Sequence, residues 1–140
     1  MSVKDFVQQR RDALIAMRRD FHMYPEPAWL EYRSAAKVAD RLISLGYDVA
    51  LGADVLDLDS RMGLPSDEVM KAAMDRAIKE GANPELVEKM GYGKTAIVAT
   101  MKFGGEGPVV AFRVDMDSND VIEAKEDSHV PTKEGFRSCH

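Results

Sequence analysis

Apolar residues recur at steps of three and four along Val3, Phe6, Val7, Ala13, Leu14, Met17, Phe21 and Tyr24, and the gaps hold Lys4, Gln8, Arg11, Asp12 and Arg18. That period predicts one amphipathic helix, capped at its start by Ser2. Pro25 and Pro27 stop it, because a proline cannot donate the next hydrogen bond and the residue before it avoids helical angles. A second helix is expected from 31 to 45, with Ala35, Val38, Ala39, Leu42 and Leu45 as its inner face and Gly46 as the left-handed terminator. Tyr47 to Leu51 then reads as a short strand, and helix, glycine, strand is how an α/β layer begins.

From Gly52 to Gly63 the aspartates Asp54, Asp57 and Asp59 mix with Val55, Leu56 and Leu58 without a period, which predicts a loop. A charged helix follows from about 67 to 80, closed by Gly81, with Val69, Met70, Ala73, Met74, Ala77 and Ile78 as its buried stripe. Asn83-Pro84 restarts a shorter helix that Gly91 ends. This helical excursion spans 65–91, and its methionines suit gap-filling in a core. Thr95 to Met101 is apolar on both faces and reads as an interior strand. Phe103-Gly104-Gly105-Glu106-Gly107 supplies the freedom for a hairpin into a further strand, 109–117. After it the pattern collapses into a polar tail, 118–140, which suggests a functional loop or a chain cut short.

The 109–117 run carries the candidate chemistry. Alternation puts Val110, Phe112, Val114 and Met116 on one face and Arg113, Asp115 and Asp117 on the other. Carboxylates two residues apart start roughly 6.6 Å apart at their Cα atoms, close enough to serve one site. The same pattern also fits an ordinary ion pair, Arg113 with Asp115, on a solvated sheet face. Spacing does not decide between the two.

Composition narrows the class. With 140 residues and 45% hydrophobic content, the chain fits one globular domain with a packed core. A net charge of -5 gives no bulk basic field, so nucleic acid and anionic membrane are disfavoured partners. One cysteine, Cys139, makes no internal disulfide, and the charged amphipathic amino terminus is unlike a signal sequence, which together point to the cytoplasm. No run approaches the roughly 18 apolar residues of a membrane span.

Gly91-Tyr92-Gly93-Lys94-Thr95 imitates the end of a phosphate-cradling loop. The pattern requires a glycine five positions before Gly93, where this chain has Glu88, and a helix afterwards, where it has a strand. A glycine-rich turn feeding a strand is the better reading. His22 lies near a helix carboxyl terminus, a place where packing and the helix dipole hold histidines more often than metals do.

Taken in order, the block Arg18 to Glu26, then Leu45-Gly46-Tyr47, Thr95 to Thr100 and Phe112 to Asp117 resembles the opening of the aminoacylase and carboxypeptidase-like metallo-amidohydrolases. Ser60 to Pro65, the charged excursion and Gly135 to Cys139 are most similar to its aminobenzoyl-glutamate hydrolase branch. The resemblance implies the amino-terminal part, 1–140, of an incomplete zinc-exopeptidase-like catalytic domain: α/β, with two long helices, about three strands including a hairpin, and a helical insertion. It implies hydrolysis of an amide between an acyl or aryl-acyl group and an amino acid by water activated between two divalent ions, manganese or zinc. It further implies a small N-acyl amino acid substrate and a companion subunit or homo-oligomer.

In the wider family a metal-binding histidine stands at the place of Arg113. A guanidinium stays protonated and does not ligate metal, so the resemblance leaves Asp115 and Asp117 as supporting carboxylates, with Arg113 beside them and no metal ligand in this chain. The family's His-Ala-Cys-Gly-His-Asp motif is absent. Cys139-His140 aligns better with the residues preceding that motif, and two donors make a poor site. Two readings follow: part of a metal-dependent amidohydrolase that does not turn over substrate by itself, or a non-catalytic truncated module that binds a partner chain.

Overall fold

The computed structural model describes residues 2–119, and the expected polar tail falls almost wholly outside them, as do Cys139 and His140. The chain divides into two compact units, one formed by Met1–Pro25 with Asn119–His140 and the other by Glu26–Ser118.

In the first unit, Ser2 Oγ accepts from the Asp5 N–H at 3.2 Å while the Asp5 carboxylate accepts from the Ser2 N–H at 3.1 Å. This reciprocal cap starts α1, Val3–Gln9. The single long helix expected from the periodicity is in fact two. Arg10, at φ -106° and ψ 7°, leaves helical geometry, and α2 runs from Arg11–Met23. The Arg10 N–H bonds back to Val7 O at 3.1 Å, tightening the last turn, and its guanidinium lies 3.6 Å over the Phe6 ring. No residue of α1 is buried, so packing does not override this local break. α2 stops before Pro25 as the sequence requires.

The second unit is built on α3, Tyr32–Ser44. Its fully buried Ala35, Ala36 and Ala39 join Ala73, Met74 and Ala77 of α4 (Asp67–Lys79) and Leu86 and Val87 of α5 (Pro84–Lys89) in one core, with Met90 at its centre. Small side chains on α3 let the helices approach closely, and the methionines fill the remaining gaps. Of the three predicted glycine stops, Gly46 and Gly81 take the left-handed conformation, whereas Gly91, just past α5, does not. Gly46 has φ +85° and Gly81 φ +88°, and each closes its helix with paired bonds: Tyr47 N–H to Leu42 O and Gly46 N–H to Ile43 O, then Ala82 N–H to Ala77 O and Gly81 N–H to Ile78 O. Asn83 Oδ1 accepts from the Glu85 N–H at 3.0 Å and starts α5 with Pro84 in its first turn.

The sheet differs most from expectation. β1, Asp48–Leu51, pairs antiparallel with β2, Ile97–Thr100, setting Asp48 opposite Thr100 and Leu51 opposite Ile97. It is two-stranded among the described residues. The anticipated third strand and its hairpin are not formed: 101–119 carries no regular secondary structure. β2 is not interior either, because its side chains alternate between half-buried and exposed and Val98 is open to solvent. A hairpin is stable only where something covers its apolar face, and no described layer covers that of 109–117. The architecture is therefore mixed helical with a small antiparallel sheet.

Candidate functional site

The start of α3 gathers the buried charge of the second unit. Glu31, at the cap position, makes no capping bond with its side chain. Glu26 does this instead from five residues upstream: its Oε1 accepts from the Arg33 N–H at 3.0 Å and its Oε2 from the Ser34 N–H at 2.8 Å. A carboxylate there meets two donors that the helix itself leaves open and the positive end of the helix dipole. Glu26 is 2% exposed, and Arg76 of α4 approaches its Oε1 at 3.8 Å. Burial pushes the carboxyl above the ordinary glutamate range, against the pull of the two amide bonds and of Arg76. Arg33, also buried, donates through Nε to Glu80 O at 2.9 Å and ties α3 to the end of α4.

Glu31 is half-buried. Its Oε1 accepts from Thr95 Oγ1 at 2.6 Å, while its Oε2 lies buried without a hydrogen-bond partner. Burial raises its carboxyl first, and the negative charge of Asp117 raises it further. Asp117 is thus brought to the start of α3, in the same region as Thr95 and Tyr32. The Tyr32 hydroxyl accepts from the Gly93 N–H at 2.9 Å and fixes the turn at Tyr92 and Gly93. Arg61 grips that turn from outside, donating through Nη1 to Tyr92 O at 2.9 Å and to Gly93 O at 3.2 Å. The chain there enters β2 and not a helix, so Gly93-Lys94-Thr95 is a structural turn.

Glu31→Gln keeps the acceptor for Thr95 and removes a half-buried charge beside Asp117. The expected gain at neutral pH is about 1 kcal/mol, read as a higher urea midpoint and a flatter stability-pH curve.

The other candidates lie apart. Arg113 Nη2 pairs with Asp115 Oδ1 at 3.0 Å, with the side chains 89% and 71% exposed, which is the geometry of a solvated surface pair. All three of Arg113, Asp115 and Asp117 are exposed; Asp117 lies near enough to Glu31 for its charge to raise that carboxyl, while Asp115 pairs with Arg113. His22 is buried in the last turn of α2. A depression of about 400 Å³ is lined by Trp29, Leu56, Asp57, Ser60, Arg61 and Met62, with Trp29 Nε1 donating to Met62 O at 3.1 Å.

Neither Glu26 nor Glu31 stood out as a candidate in the sequence. The one available signal was an acidic residue between Pro25 and Pro27, just ahead of a helix that lacked a Ser, Thr, Asp or Asn cap. Among the described residues, no group of three His, Cys, Asp or Glu side chains is placed to hold a metal ion. The donor set here does not fit the two-ion centre that the family resemblance implies. No described helix is long and apolar enough to cross a membrane.

No family model matches the chain. It is 44% identical over 139 residues to a subunit of the p-aminobenzoyl-glutamate hydrolase of Escherichia coli, covering 99% of this chain and 32% of that protein. It is 43% identical over 138 residues to the indole-3-acetyl-aspartic acid hydrolase of Enterobacter agglomerans, with the same coverage of 99% and 32%. Among solved structures, an aminobenzoyl-glutamate utilization protein from Klebsiella pneumoniae superposes with a TM-score of 0.81 at 45% identity, over 86% of this chain and 30% of that one. The chain spans about a third of the length of these relatives. Over that third it is a homologue of the p-aminobenzoyl-glutamate hydrolase subunit and of related hydrolases.

Proposed function

We propose that the chain supplies part of an amidohydrolase that cleaves the amide between an aryl-acyl group and an acidic amino acid, as in aminobenzoyl-glutamate. The observation that carries this reading is the identity of 43 to 44%, across nearly the whole chain, to two relatives named as hydrolases of such conjugates. Both names describe an aromatic acyl group joined to glutamate or aspartate. In this reading the chain contributes framework and a carboxylate-bearing segment, while the reacting centre is completed by residues outside it.

Asp115 and Asp117 are the proposed supporting carboxylates, with Arg113 as their neighbour. Asp117 is exposed, but it lies near enough to Glu31 for its negative charge to raise that carboxyl, to which Thr95 Oγ1 donates. A carboxylate in that position orients a donor group, which is a positioning role. The two divalent ions, manganese or zinc, belong to the completed enzyme; when bound they would polarise the amide carbonyl and lower the pKa of bound water. The word subunit in one relative's name supports a companion chain, and the single cysteine fits a cytoplasmic setting.

The test is direct. The 140-residue protein, given manganese or zinc and aminobenzoyl-glutamate, is expected to release no aminobenzoate and to show no tight metal uptake in calorimetry. Turnover or stoichiometric metal binding would overturn the placement of the reacting centre outside the chain.

A further inference from the structure

Asp117 lies near enough to Glu31 for its negative charge to raise that carboxyl. Like charges repel, so a loosely held segment would carry Asp117 away from the start of α3. The chain is fastened on both sides of it. Met116 packs against the core, and the Ser118 N–H donates to Glu26 O at 2.8 Å while Ser118 Oγ donates to the same oxygen at 3.3 Å. Each anchor is one peptide from Asp117, about 3.8 Å between Cα atoms.

Glu26 is itself rigidly placed. It is 2% exposed, and its carboxylate accepts from the Arg33 and Ser34 N–H groups at 3.0 and 2.8 Å. The same two bonds set the first turn of α3, whose cap residue is Glu31. Glu31 is held in turn by the buried Thr95, through the 2.6 Å bond to its Oε1. One buried residue therefore registers both members of the pair: its side chain fixes the turn that carries Glu31, and its backbone carbonyl fixes the residue after Asp117. Among the described residues, the Ser118 bond is the backbone hydrogen bond that joins 102–118 to the remainder of the unit.

We propose that the Ser118–Glu26 hydrogen bond is a positioning contact of the hydrolase: it holds the Asp117 carboxylate at the start of α3, and Ser118 and Glu26 are positioning residues that act through Asp117. This rests on the reading of Asp117 as a supporting carboxylate, so the experiment has one arm without catalysis and one with it.

In the first arm, the side-chain carboxyl resonance of Glu31 is titrated by heteronuclear NMR in the 140-residue chain and assigned by its loss in Glu31→Gln. Asp117→Asn removes the neighbouring charge and is expected to lower the Glu31 midpoint. Ser118→Pro has no N–H to donate and is expected to lower it in the same direction. Ser118→Ala keeps the N–H and is expected to hold the midpoint near that of the wild type. Thr95 and Tyr32, which adjoin Glu31, are unchanged in all three variants, and a helical circular-dichroism signal equal to that of the wild type shows that each is folded. A Glu31 midpoint that either Asp117→Asn or Ser118→Pro leaves at the wild-type value overturns the proposal.

The second arm places Ser118→Pro in the Escherichia coli relative carrying this chain in place of its matching third. Hydrolysis of aminobenzoyl-glutamate is expected to show a kcat lower by about tenfold with KM unchanged, and no further fall when Asp117 is already asparagine. Losses that multiply in the double variant would show that Ser118 acts elsewhere and overturn the proposal. An unsubstituted chimera without hydrolysis contradicts the hydrolase reading and with it the catalytic role, while the titration still decides whether the contact holds Asp117.

Discussion

Replacing Glu26 with alanine is expected to lower the stability of the 26–118 unit by roughly 3 kcal/mol, since it strips a buried acceptor from two amide donors at once. The Arg33 and Ser34 N–H groups each lose the side-chain oxygen that accepts from them, and Arg76 loses the carboxylate it faces at 3.8 Å. The helix these donors begin carries Ala35, Ala36 and Ala39 into the core, so its first turn cannot fray without exposing that face. Glu26→Gln retains one acceptor oxygen and is expected to recover part of the loss. Urea denaturation followed by helical circular dichroism reads both, and an alanine variant within about 0.5 kcal/mol of wild type, the usual range for surface substitutions, would sink the assignment.

The second large effect is expected at Gly52. Its φ of +61° lies in the left-handed region, and a Cβ there would sit 2.9 Å from the Lys89 carbonyl oxygen and 3.4 Å from that of Lys94. Both obstacles are backbone, at the end of α5 and the entry to β2, and neither can swing aside. Gly52→Ala should therefore cost roughly 2–3 kcal/mol, combining left-handed strain with displacement of the sheet from the helix. Gly63 separates the two contributions, because it has φ +70° but nothing within 4 Å of a Cβ. Gly63→Ala should cost only about 1 kcal/mol, the strain alone. Equal losses at the two glycines would show that the close approach to Lys89 carries no weight.

The same buried carboxylates give the unit a pH signature. Glu26 and Glu31 both have folded pKa values raised above the ordinary 4.5, chiefly by burial. The folded state therefore binds more protons than the unfolded state between the ordinary and the raised values. Stability from these groups is full below pH 4.5 and is lost as pH rises through the folded values. Asp5, Asp57 and Glu68 shift the opposite way but are fully exposed, where solvent screens their contribution. Midpoints measured from mildly acid to neutral pH should fall, and the fall should shrink in Glu31→Gln.

How much of this was legible in the chain follows from what each signal depends on. Helix ends set by local backbone chemistry were readable: Gly46, Gly81, the proline stop at Pro25 and the Asn83-Pro84 start all act within a few residues. The core stripe of α4 was readable at Met70, Ala73, Met74 and Ala77, whose helical period survives burial, while Val69 and Ile78, expected in the same stripe, are exposed. The break at Arg10 was passed over although the apolar stripe lapses there: 8–12 are all polar, Val7 and Ala13 are six residues apart, and no packing on α1 bridges the gap. Strand pairing was the least legible part. Alternation in 109–117 specifies a face to bury but not a layer to bury it against, and the sheet that forms joins β1 to β2 across a long separation.

The candidate site divides in the same way. Arg113, Asp115 and Asp117 were conspicuous because they alternate along one short run, yet all three are exposed and two of them simply pair with each other. Glu26 and Glu31 were inconspicuous because their meaning comes from Arg33, Ser34 and Thr95, the last of which is 64 residues away from Glu31.

In the proposed reading, this segment is working framework for a hydrolase of aryl-acyl amino acids whose reacting centre lies outside it. A chimera tests that most directly: the matching third of the Escherichia coli relative is replaced by this chain, its companion chain is supplied, and release of aminobenzoate from aminobenzoyl-glutamate is followed. Turnover by the chimera is expected, with a fall of about 100-fold in kcat and little change in KM when Asp115 or Asp117 becomes asparagine, the scale typical of groups that orient a catalytic centre. A folded chimera with no hydrolysis, or full activity in both asparagine variants, would contradict it.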